Sequence, residues 1–139
     1  MQLRLIFLSG LSVLLIASYT SLPAAEDLFT GNYGSCIDRS EGVNSEMHEC
    51  ISEEYATQDA RLNGAYKKLV ALLAPARKQH LVAAQRLWIQ YRDANCAFYA
   101  DPDGGTAARL DGHECSLQET AERAKEIEDL AIVVEARGG

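Results

Sequence analysis

The sequence lacks an excess of positive charge, an apolar run of membrane-spanning length, and the short motifs that mark common active sites or metal centres. With 20 Asp+Glu against 13 Lys+Arg and a net charge of −7, it has no basic footprint for phosphates, which argues against nucleic acid as a partner. No His-Glu-x-x-His or Cys-x-x-Cys occurs, and His48, His80 and His113 share no ligand spacing, so no metal is expected and each histidine reads as solvated or capping. Asp101 to Gly105 has the look of a calcium loop. Its continuation puts Gly105, Ala107, Arg109 and Gly112 where oxygen ligands belong, so it reads as a turn. There is neither a Gly-x-Ser-x-Gly elbow nor a Gly-rich phosphate loop, and a cysteine held in a disulfide cannot act as a thiolate. Carboxylates are plentiful, but abundance is not the pair of contrasting environments that acid–base catalysis needs. Neither an enzyme nor a cofactor is expected.

What is present begins with a leader-like segment. Residues 1–25 carry a single charge, Arg4, then the apolar run Leu5–Ala17, then small residues and Pro23 before Ala24 and Ala25. A positive end and about a dozen apolar residues match a secretory signal, whereas a spanning helix needs about 20. Cleavage is expected near Ala24 or Ala25, leaving residues 26–139 as one domain in the periplasm or secreted, with no membrane attachment. No cysteine lies just after the apolar run to take a lipid. Since 47% of the chain is apolar and 24% charged, the domain has enough material for one modest core.

Cys36, Cys50, Cys96 and Cys115 all fall in the exported part, and an even count in a small exported domain favours two disulfides. Four cysteines allow three pairings. Nearest-neighbour pairing would close loops of about 15 and 20 residues, each stabilising by about 3 kcal/mol in the chain-entropy treatment.

Three stretches show helical periodicity. From Ser45 to Leu73, Ile51, Tyr55, Leu62, Ala65, Leu69 and Leu72 recur on one face with Gln58 as a polar gap; Asn44 or Ser45 can cap the start, and Pro75 ends the run. From Pro75 to Tyr99, Leu81, Ala84, Trp88, Tyr91 and Phe98 form a stripe interrupted by Asn95. Ala100–Gly112 is rich in turn formers and is expected to be a loop, with one short helical turn after Thr106. From His113 to Ala136, Leu117, Ala121, Ala124, Ile127, Ala131 and Val134 align, with Glu119–Arg123 and Lys125–Asp129 as surface pairs. Strand-like alternation is absent, so the expected fold is all-α, a three-helix hairpin bundle stapled by two disulfides.

Charge is sorted along the chain. Residues 26–59 carry nine acids and one base, residues 60–92 seven bases and no acid, and residues 93–139 eleven acids and four bases. The plain reading is a basic middle helix neutralised by acidic neighbours; the sharper one is an acidic face left over for a cationic partner.

The order Cys36, Cys50, EEYATQDARLNGAYKKL, AQRLWIQYRDANC, a Gly-Gly loop, Cys115 and TAERAKEIEDL closely resembles the lysozyme-inhibitor LprI-like family of exported bacterial proteins, from Cys36 to about Leu130. The resemblance rests on Asp59, Leu62-Asn63, Tyr66, Gln85-Arg86, Trp88, Arg92-Asp93 and the cysteines in order. It implies a small helical domain, a periplasmic or cell-surface setting, nearest-neighbour disulfides, and inhibition of lysozyme, a basic protein that an acidic domain would attract. Trp88, Tyr66 and Leu62 read as core, and Asp59, Arg86, Arg92 and Asp93 as interhelical partners. The element expected to block a cleft is the Ala100–Gly112 loop, with Asp101, Asp103, Asp111 and Glu114 as acidic contacts and Glu53 and Glu54 as a second patch. A rival reading is an envelope structural or assembly protein; an apolar stripe left exposed on one helix would mark it. A cell-wall hydrolase would instead need two carboxylates converging in a pocket.

Overall fold

The computed structural model describes residues 28–138; the expected signal segment lies outside the described residues. It contains four helices and, among the described residues, no strand: α1 (Gly31–Arg39), α2 (Asn44–Leu72), α3 (Pro75–Tyr99) and α4 (Gly105–Ala136). The all-α expectation holds, but the count of three does not. The extra element, α1, is only nine residues long, contains Gly31, Gly34 and Ser35, and buries none of its residues. A helix that short does not persist on propensity. It is held from outside, by Thr30 capping Tyr33 N–H, by the Cys36–Cys50 disulfide, and by Glu54 of α2, which accepts from both the backbone N–H and the hydroxyl of Thr30.

The core is the seam between α2 and α4. Ile51, Glu54, Gln58, Leu62, Ala65 and Leu69 of α2, and Leu117, Ala121, Ala124, Ile127, Ala131 and Val134 of α4, recur at three- and four-residue steps and are buried, as is Thr120 beside Ala121. That is the spacing of a coiled-coil seam, and four alanines let the two backbones come close. Cross-links advance together along both helices: Asn44 to Thr106, Arg61 to Glu128 at 2.6 Å, Lys68 to Glu135 at 2.8 Å. The helices therefore run parallel, and α3 is the return limb that makes this possible.

Ala74 and Pro75 form the expected corner, with Pro75 in the first turn of α3. The helix then packs chiefly on α4. Only Cys96 of α3 is fully buried. The stripe read from the sequence is split: Leu81 and Trp88 pack against the core, whereas Ala84, Tyr91 and Phe98 face outward. The expected Ala100–Gly112 loop is also shorter, because α4 starts at Gly105 and leaves only a tight turn. Gly112 lies so close to α3 that a Cβ there would meet the Ala100 Cβ at 2.5 Å and its Cα at 2.9 Å. Neither Asn44 nor Ser45 caps α2, whose N-cap is Val43. No described helix is long and apolar enough to cross a membrane.

Candidate binding face

The disulfides pair Cys36 with Cys50 and Cys96 with Cys115, the nearest-neighbour arrangement. The second ties the end of α3 to the third turn of α4, and the acidic residues predicted to make contacts lie around that tie and the turn before it. Asp111 and Glu114 line a groove of about 460 Å³ together with Asn95, Tyr99, Cys115, Gln118 and Glu119. Asp101 and Asp103 occupy the adjoining turn, where the Asp101 carboxylate accepts from the Asp103 N–H. Because α4 reaches back to Gly105, Asp111 and Glu114 stand on a rigid helix rather than on a projecting loop. Glu119, unpredicted as a site residue, accepts from Asn95 at 3.1 Å. Its charge, and secondarily burial, raises the Tyr91 hydroxyl above its ordinary pKa. The sequence signal was the one-face helical spacing Asp111, Glu114, Cys115, Gln118, Glu119, complete only once α4 is extended back past His113.

The second predicted patch divides. Glu53 is exposed beside a shallow recess between α1 and α2. Glu54 is 4% exposed, and its carboxylate is taken up by Thr30 and by Gln58 at 2.7 Å, so it fastens the N-terminal segment instead of offering a contact. Burial pushes its pKa up, but the hydrogen bonds from Thr30 and Gln58, with Arg61 nearby, outweigh that and hold it below the ordinary value.

The residues that carried the family resemblance are mostly architectural. Leu62 is buried, and Tyr66 and Trp88 pack against the core. Arg92, its side chain 15% exposed, pairs with Asp93 and donates toward Tyr55 of α2 and Thr120 of α4. Its guanidinium lies 5.2 Å from the Trp88 ring, and Arg123 of α4 lies 5.7 Å from the same ring while donating to Gln85. Asp59 accepts from Asn63 on its own helix. Arg123 pairs with Glu126 rather than with the expected Glu119, while Lys125–Asp129 forms as expected.

His48 and His113, unrelated by spacing, meet edge to face with ring centres 4.4 Å apart. Burial, and then the neighbouring His48, lowers the pKa of His113. Among the described residues no group of three His, Cys, Asp or Glu could hold a metal ion.

The family model described as Lysozyme inhibitor LprI matches residues 36–127. An uncharacterized protein of Rhizobium meliloti (strain 1021) is 27% identical over 99 residues, covering 61% of this chain and 71% of that protein. No solved structure matches the chain.

Proposed function

The chain belongs to the LprI lysozyme-inhibitor family, and from that premise we propose that it is an exported binding protein that inhibits a lysozyme-type muramidase through the acidic end of α3 and α4. The observation that supports this surface is the groove in which Asp111, Glu114 and Glu119 gather beside Tyr99. The exported domain, at −8 once Arg4 is removed from the chain's −7, steers toward a basic enzyme, and clustered carboxylates decide which face arrives first. Steering alone does not block a cleft. Tyr99, half exposed, adds apolar area next to the charges, and the Cys96–Cys115 bond limits the yielding of the whole end when it is pressed against a partner. Export is supported by the leader-like segment and by two disulfides, which are favoured in an oxidising compartment.

The test is a wall-lysis assay with a basic lysozyme, comparing the protein with Asp111→Lys/Glu114→Lys. Both positions are exposed, so helicity and thermal midpoint should hold while inhibition falls at least tenfold. Inhibition that survives the double reversal would remove this face from the account. A second reading, an envelope assembly protein, is favoured by one observation: α3 leaves Leu87, Tyr91 and Phe98 exposed at 66%, 56% and 79%.

A further inference from the structure

The outward face of α3 is an apolar seam that no other described helix covers, although the Tyr91 hydroxyl lies by Glu119 and the Phe98 ring meets Tyr99. Leu87, Tyr91, Ala94 and Phe98 follow one another at steps of four, three and four, and all are exposed. The adjoining face of the same helix, Leu81, Trp88 and Cys96, is the one that packs inward. We propose that this seam is the interface of a homodimer in which two α3 helices pack antiparallel around a two-fold axis between Tyr91 and Ala94.

Three features select a second copy. First, the stripe is complementary to its own reverse: with the axis there, Leu87 meets Phe98 of the second copy in an apolar contact at each end, and at the centre Tyr91 meets the small Ala94, which leaves room for its ring. Second, the charges reverse along the helix. With Arg92 and Asp93 paired to each other within the chain, residues 75–91 contain Arg77, Lys78 and Arg86 and no acid, while Asp101 and Asp103 follow the helix. An antiparallel pair sets the basic half of one copy against the acidic end of the other; a parallel pair would set like against like. An anionic membrane surface fits less well, because that acidic end flanks the apolar stripe and would be repelled. Third, the stripe is rigid, since α3 is closed by the corner at Pro75 and by the Cys96–Cys115 bond.

The stripe exposes on the order of 400 Å², taking about 200 Å² for a whole aromatic side chain. That is about half of the ~800 Å² that each partner contributes to a standard interface. The dimer is therefore expected to be concentration-dependent.

Sedimentation velocity on the purified, exported protein over a wide concentration range should show a monomer–dimer equilibrium. Leu87→Lys and Phe98→Glu should each yield monomers with unchanged helicity. Mixing the two variants should restore a dimer, because in the antiparallel register the new lysine of one chain faces the new glutamate of the other, and the wild-type Leu87–Phe98 contact survives at the opposite end. A protein that stays monomeric at every concentration would overturn the proposal. So would variants that still dimerise alone, or a mixture that fails to associate. Binding of the wild type to anionic phospholipid vesicles that both variants abolish, without any dimer in solution, would assign the face to a membrane instead and equally overturn it.

Discussion

At the scale of single residues, the close approaches and the buried polar groups set the sharpest expectations. Gly112→Ala would ordinarily strengthen a helix by about 1 kcal/mol. Here the added methyl meets Ala100 Cβ at 2.5 Å and backbone behind it, so the change should instead cost about 1–3 kcal/mol. Gly64, inside α2 with nothing within 4 Å of an added Cβ, supplies the control: Gly64→Ala should stabilise by about 0.5–1 kcal/mol. Urea denaturation of the two variants measures both signs. Protonation acts at two other residues. Glu54 and His113 both have folded pKa values below their ordinary ones, so the fold favours an ionised Glu54 and a neutral His113. The unfolded chain then binds more protons than the folded one, and stability rises with pH through both ranges. Stability should be intact above about pH 6.5, decline first as His113 is forced to protonate beside His48, and decline again below about pH 4.5 as Glu54 releases Thr30 and Gln58. Thermal midpoints measured from neutral pH to below pH 4 test this; His113→Asn should flatten the first decline and leave the second.

At the scale of elements, what matters is which helices stand on their own contacts and which are held by others. The α2–α4 seam carries the core, so neither helix depends on a disulfide for its position. α1 does depend on one: it buries nothing and is anchored by Cys36–Cys50, Thr30 and Glu54. Replacing Cys36 and Cys50 by alanine should cost about 3 kcal/mol in the chain-entropy treatment. Amide exchange should become fast across Gly31–Arg39 while the α2–α4 seam keeps most of its protection. Uniform loss of protection over all four helices would show that α1 contributes to the core after all. The periodic pattern made α2, α3 and most of α4 readable, since their apolar residues recur every three or four positions. α1 escaped because its helix is imposed by tertiary ties. The first two turns of α4 escaped because Gly104, Gly105 and Gly112 look like loop residues until it is seen that Gly112 is there for a close helix crossing.

At the scale of the whole molecule, the sorted charge of the sequence becomes two different things. Part is consumed internally: Arg61 and Lys68 on α2 pair with Glu128 and Glu135 on α4, one pair per heptad, which helps fix the parallel register. These pairs are partly solvent-exposed and contribute modestly to stability. Another part gathers at the α3–α4 end as Asp101, Asp103, Asp111, Glu114 and Glu119, around the groove and its turn. If that end meets a basic enzyme, inhibition should weaken as salt rises from about 50 to 150 mM and the Debye length contracts toward about 8 Å, chiefly through a slower association rate. Stopped-flow association at the two ionic strengths is the measurement; a rate that does not change would mean the contact is apolar and lies elsewhere, with the α3 stripe as the first surface to test.

The sequence by itself determined the helical class, the corner at Pro75, the apolar positions of α2 and α4, and the acidic balance, because periodicity, proline geometry and net charge are local or additive properties. Only the tertiary structure decided that α2 and α4 run side by side, that Glu54 turns inward to hold Thr30, that His48 meets His113, and that Tyr91 and Phe98 are left facing out while Trp88 packs in. A stripe of apolar residues on a helix specifies that it will cover something. Which neighbour it covers depends on how the chain returns, and that is a property of the assembled helices, not of any one of them.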